Sequence, residues 1–209
     1  MLYDQNTTLT QFLDGTATRQ PSPGGGSAAA LAGALAAAVG EMVVNYSIGK
    51  KDLEGHQGEL RSALAELHRG RSLLLELMIE DQNAYQALTA ARKLPKDSPD
   101  RRQEYEAALL ACIRVPQAIA ATAAAVVELS DRLVDRVNPH LLSDLAVCAD
   151  LAMAAVRCGL YNVRVNLPAV DDPSDRQRIE APIGQVLSRA VQTIQRVVPR
   201  IWQRHERSK

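Results

Sequence analysis

Aromatic residues are nearly missing from this chain: one Phe, one Trp and five Tyr among 209 residues. That scarcity argues against a platform on which nucleic-acid bases stack. Neither sign of charge is in excess, since 24 Lys and Arg balance 24 Asp and Glu, so the basic surplus of a dedicated nucleic-acid binder is lacking too. Cys112, Cys148 and Cys158 are an odd set without CxxC spacing, which fits reduced thiols of a cytoplasmic protein and not a disulfide frame or a zinc site. The scattered His56, His68, His140 and His205 form no HExxH motif or Cys/His ligand set, so no metal is expected. The longest strongly apolar run, Ala28 to Val39, is shorter than the ~20 residues of a membrane span. Residues 1 to 20 carry Asp4, Asp14 and Arg19 and no apolar core, so neither a signal peptide nor a membrane partner is expected. A convincing strand pattern is also missing. The one β-branched stretch, NVRVNL at 162–167, reads equally well as the last turns of a helix.

What the chain does have is alanine and helical periodicity. Apolar residues make up 46% of it, and alanine is the best helix former. The pattern predicts six helices. They run from Thr8 to Ala17, from a Ser27 N-cap to about Ile48, and from about Gly58 to Ala91. The fourth runs from near Ser98 to about Val134, with a kink expected at Pro116. The fifth spans Leu142 or Ser143 to near Asn162, and the sixth Pro173 to Glu206, with breaks allowed at Pro182 and Pro199. No linker or repeat divides them. The expected fold is all-α: a single-domain bundle over residues 1–209 around a buried Ala/Gly-rich helix.

That helix follows PSPGGGS and is apolar nearly all round, which predicts burial on every side. Gly24, Gly25 and Gly26 read either as a flexible turn or as a nest of free N–H groups at a helix N-terminus, where an anion is favoured. They match neither a Walker nor a dinucleotide-binding fingerprint. Ser27 and Asn45 lie 18 residues apart, five full turns, on one stripe with Glu41. Asp144 and Asn162 repeat that spacing on the fifth helix, with Asn166 near the same stripe, and Asp81 and Tyr85 form an i, i+4 pair on the third. Each of these polar residues has an ordinary reading beside the functional one: a cap, a solvated face or a packed hydrogen bond. The basic stretch from Arg176 to Lys209 reads as the solvated face of an amphipathic helix.

Three blocks taken together resemble a known family: PSPGGGSAAALAGALAAAVGEMVVNYSIGKK, EDQNAYQALTAARKLPK and VNPHLLSDLAVCADLAMAAVRCGLYNVRVNL. They are similar to the cyclodeaminase domain of formiminotransferase-cyclodeaminase and to its stand-alone bacterial relatives, the methenyltetrahydrofolate cyclohydrolases. This chain has Val137-Asn138 where the family often has Gly-Asn, and Tyr46-Ser47 in place of the commoner Leu-Thr. The resemblance implies a stand-alone, all-helical homodimer acting on the one-carbon unit of tetrahydrofolate, with no permanently bound cofactor. The implied reaction is hydrolysis of 5,10-methenyltetrahydrofolate to 10-formyltetrahydrofolate. The alternatives are closure of 5-formiminotetrahydrofolate with loss of ammonia, or a bundle that binds folate or a partner without turnover. The resemblance carries a catalytic set, Asp144, Asp81 and Lys50, and a substrate-binding set, Gly24, Gly25, Gly26, Ser27, Asn45, Lys51, Ser143, Asn162 and Asn166. One of Asp144 and Asp81 would move protons while the other grips the pterin, and Lys50 and Lys51 would draw the glutamate tail. Residues 24 to 27, 81 and 144 are expected to share one hollow, within a subunit or across a subunit boundary.

Overall fold

A computed structural model of the chain describes residues 2–95 and 97–207. Six α-helices account for most of them, with no strand among the described residues: α1 Leu9–Ala17, α2 Gly25–Asn45, α3 Gln57–Lys93, α4 Arg101–Leu133, α5 Leu142–Asn166 and α6 Pro173–Arg207. Short 3-10 turns lie at Lys51–His56, Pro139–Leu141 and Leu167–Ala169.

The first helix starts where expected. Thr8 caps it, and its hydroxyl and the Gln11 side chain exchange hydrogen bonds with each other's backbone. The second helix departs from expectation. Gly24 is its N-cap, in extended conformation, so Gly25 and Gly26 already form the first turn and Ser27 lies inside it. The breaks allowed at Pro182 and Pro199 do not occur, and α4 also continues through Pro116. Each proline removes only one backbone bond, while Ile113, Ile119, Ile183, Val197 and Ile201 are buried around these points. The NVRVN stretch is helical and carries α5 to Asn166.

Helices α2, α3, α4 and α5 form a closed ring in which each packs on the next. Neighbours run antiparallel. Along α2, Gly33 and Gly40 face Leu74 and Leu67 of α3 on one side, and Ala155 and Cys148 of α5 on the other. Between α3 and α4, Glu66 pairs with Arg132 at 2.6 Å, and between α4 and α5 the Asn166 amide reaches the Cys112 carbonyl. The sixth helix lies outside against α4 and α5. It is stitched there by Arg196 and Arg200 on Asp131, and by Arg200 on Asp135. Much of the basic C-terminal stretch is therefore committed to holding α6 in place. Phe12 of α1 closes the bundle beside α2, packed with Ala29, Ala30, Leu77 and Met78.

Two helices, α2 and α4, are long and apolar enough to cross a membrane by length and composition alone; within the bundle about half of each such stretch is buried. Burial of α2 is not complete on every side. Its stripe of Leu35, Met42 and Tyr46 stays exposed, as does the stripe of Val147, Tyr161 and Val165 on α5.

Candidate active site

The N-terminus of α2 is the point at which the bundle brings chemistry together. An α-helix begins with N–H groups that have no partner in their own helix. Here no side chain of the cap residue serves them. A carboxylate from α3 does so instead: Asp81 accepts a hydrogen bond from the Ser27 hydroxyl at 2.8 Å and another from the Ser27 backbone. The partial positive charge of the helix end favours that carboxylate. Burial pushes its proton affinity above the ordinary value, with the two Ser27 donors pulling the other way. Ser27 is fully buried, and its hydroxyl also lies 3.5 Å from the Met78 carbonyl.

The glycines have separate duties. A methyl built at Gly26 would overlap the Asp81 carboxylate, so the acid rests directly on bare main chain. At Gly25 it would stand 3.3 Å from the Asn162 Oδ1. Gly24 faces open space. The Asn162 amide donates to the Cys158 carbonyl at 2.8 Å, and the Asn166 amide donates to the Cys112 and Asn162 carbonyls. These bonds use the nitrogens and leave the amide oxygens as acceptors. The Cys112 thiol nearby is pushed up to about 11, first by burial and then by the Asp81 charge, which makes it a poor nucleophile.

Sequence reasoning missed Gln82, the residue after Asp81. It is wholly buried, and its amide clasps the Tyr3 backbone from both sides: Tyr3 N–H donates to it at 2.8 Å and it donates to the Tyr3 carbonyl at 2.7 Å. The N-terminal segment is thereby tied beside the carboxylate. The one sequence signal is an amide in a buried stretch of α3.

The remaining candidates lie at the opposite pole. Asn45 ends α2, Lys50 and Lys51 follow it, and Ser143 and Asp144 open α5. Eighteen residues of helix separate Ser27 from Asn45 and Asp144 from Asn162, about 27 Å at 1.5 Å per residue. The antiparallel packing of α2 on α5 sets Asn162 beside Gly25, and Cys148 beside Gly40. Within one chain, therefore, Gly24 to Ser27, Asp81, Asn162 and Asn166 gather at one end, and Asn45, Lys50, Lys51, Ser143 and Asp144 at the other. The single hollow expected for residues 24 to 27, 81 and 144 is not formed within one chain. Glu41 lies one turn before Asn45, near that second pole, where Arg71 holds it at 2.7 Å.

Comparison with known proteins covers nearly the whole chain. Residues 8–185 match the family model described as formiminotransferase-cyclodeaminase. A methenyltetrahydrofolate cyclohydrolase of Methylorubrum extorquens is 34% identical over 171 residues, which is 80% of this chain and 82% of that protein. A formimidoyltransferase-cyclodeaminase of Sus scrofa is 31% identical over 186 residues, 87% of this chain but only 34% of that longer protein. Among solved structures, a formiminotetrahydrofolate cyclodeaminase of Thermotoga maritima matches with a TM-score of 0.82 at 26% identity, over 97% of each chain.

Proposed function

The chain belongs to the formiminotransferase-cyclodeaminase family, and from that premise we propose that the pole at the start of α2 is the centre of a methenyltetrahydrofolate cyclohydrolase. It is an enzyme of tetrahydrofolate one-carbon chemistry, and it aligns with the Methylorubrum cyclohydrolase over more than three quarters of both proteins. The observation that carries the assignment of the site is the half-buried Asp81 carboxylate resting on Gly26 and held by Ser27.

The methenyl bridge between N5 and N10 is cationic, and an adjacent carboxylate stabilises it. Asp81 takes a proton from a water molecule as that water's oxygen bonds to the bridge carbon. It returns the proton to N5 as the N5–carbon bond opens. The hydroxyl proton leaves to solvent as the formyl carbonyl forms on N10, so one proton is released in all. A carboxyl with raised proton affinity suits both halves of this exchange. The first-turn N–H groups that Asp81 does not take face the oxygen that gains charge at the tetrahedral carbon. The Asn162 and Asn166 oxygens accept from pterin N–H groups. None of these steps calls for a permanently bound cofactor. Closure of a formimino group with loss of ammonia, a lyase reaction, uses the same tetrahedral carbon; the fold shared with the Thermotoga cyclodeaminase supports it as the second reading.

The working unit in this proposal is a homodimer. The exposed apolar stripes of α2 and α5 lie on neighbouring antiparallel helices, with Leu35 53%, Tyr161 62% and Val165 73% exposed. Such a face asks for cover. A second copy laid on it with its helices reversed brings its own Asp144, Asn45, Ser143, Lys50 and Lys51 over the first copy's Ser27 and Asp81. That arrangement unites the two halves of the residue set implied by the family. The three free cysteines support a reducing, cytoplasmic setting.

Decay of methenyltetrahydrofolate absorbance tests the reaction: loss no faster than without protein, with no closure of the formimino compound either, rejects it. Mixing tests the shared site. Asp81→Asn and Asp144→Asn homodimers should each be inactive, while subunit exchange should restore about a quarter of wild-type activity, because half of the dimers are then mixed and each has one intact site. No recovery on mixing rejects the shared site.

A further inference from the structure

Resting on the shared-site reading, we propose that Arg204 of α6 is a positioning residue for the second pole, holding the connection from which Asp144 emerges. Its guanidinium donates to the Val134 carbonyl and, at 2.7 Å, to the Val137 carbonyl. The Val137 carbonyl belongs to the same peptide group as the Asn138 N–H, which donates to the buried Ser47 hydroxyl at 2.9 Å. Ser47 in turn donates to the Val43 carbonyl in the last turn of α2, 2.7 Å away. One peptide group is therefore gripped at both of its polar atoms, from α6 on one side and from the segment that follows α2 on the other. Arg204 lies beyond the residues 8–185 that match the family model.

The gripped peptide is tied to the acid without slack. The Asn138 side chain accepts from the His140 N–H at 3.2 Å and so opens the Pro139–Leu141 turn. The Leu141 N–H closes that turn on the Asn138 carbonyl at 3.0 Å. Helix α5 begins at the next residue, with Asp144 in its first turn. Every step from Asn138 to Asp144 is thus fixed by a backbone bond, and a shift of the peptide carries the first turn of α5 with it. The charges around Arg204 belong to the same pole. Burial lowers its proton affinity, while Asp135 and Asp52 pull the other way, and Asp52 directly follows Lys50 and Lys51. Arg196, Arg200 and Arg204 stand four residues apart in one row of α6. The first two fasten the helix to the carboxylates of Asp131 and Asp135. Arg204 reaches the carbonyls of the connection instead, and a planar guanidinium presents its donors in the fixed fork that two carbonyls require.

The test is subunit mixing of the full-length protein, read as hydrolysis of methenyltetrahydrofolate. Arg204→Ala should lower kcat roughly tenfold by releasing the peptide that orients Asp144. Arg196→Ala, which removes bonds to the Asp131 carboxylate, leaves kcat as in the wild type. After exchange in equal amounts, Asp81→Asn with Arg204→Ala should reach about a quarter of wild-type activity, because half of the dimers then carry one site with both poles intact. Asp144→Asn with Arg204→Ala should fall to about a twentieth, below Arg204→Ala by itself, because both defects lie at the same pole and no site is intact. A residue that only stabilised the bundle would weaken both poles of its own chain, and neither mixture would recover. Recovery in neither mixture, in both, or with Asp144→Asn only overturns the assignment, as does wild-type kcat in Arg204→Ala. The pair Asp81→Asn with Asp144→Asn separates the two readings. If that pair recovers and the Arg204 pattern is absent, the positioning role fails by itself; if that pair does not recover, the shared site fails and the positioning role with it. Where Arg204→Ala does not fold, Arg204→Lys takes its place with the same mixing pattern expected, since lysine keeps the charge near Asp135 and Asp52 but lacks the fork.

Discussion

Replacing Gly26 by Ala adds one methyl group, and the structure fixes where it goes: into the carboxylate of Asp81. In an ordinary helix this change gains up to about 1 kcal/mol, because alanine restricts the unfolded backbone more than glycine does. Here the overlap costs about 1–3 kcal/mol. Displacing Asp81 from Ser27 loses a charge-assisted hydrogen bond of about 1.5–3 kcal/mol. The net expectation is a loss of about 1.5–6 kcal/mol, or a melting point lower by at least about 3 °C for a chain of this size. Turnover should fall by about a hundredfold or more, since a proton-transfer group displaced by about 1 Å no longer meets its target. Urea unfolding and steady-state hydrolysis measure both effects. A companion variant makes the reasoning sharper. With Asp81→Ala in place the obstacle is gone, and Gly26→Ala should become neutral or stabilising. A Gly26→Ala protein with wild-type stability, or one that loses as much with Asp81 absent as with it present, would refute the claim that this carboxylate rests on the glycine.

Two further outcomes follow from the same pole. Burial raises the Asp81 carboxyl above its usual 3.8 in the folded protein, so the folded state holds this proton more tightly than the unfolded chain. The contribution of this group to stability is therefore greatest below that pH and declines as pH rises through the raised folded value; the urea midpoint of Asp81→Asn relative to wild type should climb as pH rises above the usual carboxyl range, and a flat difference refutes the sign. Gln82→Ala removes both bonds to Tyr3 and leaves a small cavity, at a cost of about 2–4 kcal/mol. Trypsin should then cut faster at Arg19, and an unchanged cutting rate would show that the clasp does not hold the N-terminal segment.

Periodicity made the helices legible, but it reports an angle and says nothing about position along the axis. Ser27 and Asn45 do share a stripe, and so do Asp144 and Asn162, yet each pair spans the length of its helix. Only the antiparallel packing of α2 on α5 reveals which ends meet. The start of α2 was misplaced for a different reason. Serine is a common N-cap, so Ser27 attracted that role. Ser27 instead gives its own hydroxyl and N–H to an acid 54 residues away in sequence, and a cap from another helix leaves no local mark. The prolines misled in α6 because a single missing backbone bond is minor beside the apolar face that the helix buries. Gln82 stayed hidden because its partner is the backbone of Tyr3, which has no sequence signature.

The slenderness of α2 and the placement of Asp81 belong to one device. Leu74 and Leu67 of α3 come within 3.1 and 3.0 Å of where a methyl would stand on Gly33 and Gly40, so α3 packs almost against the α2 main chain. An aspartate side chain is short. It can cap the first turn of a neighbouring helix only if the two backbones are already this close. Larger side chains at Gly33 or Gly40 would push α3 outward, and the acid would lose Ser27 although no residue of the site had changed. On the opposite flank Ala155 and Cys148 of α5 approach the same two glycines, which fixes α5 in turn and sets Asn162 against Gly25. The run of alanine and glycine thus acts beyond its own volume: it sets the spacing at which one carboxylate and two amides from separate helices converge on a single helix end.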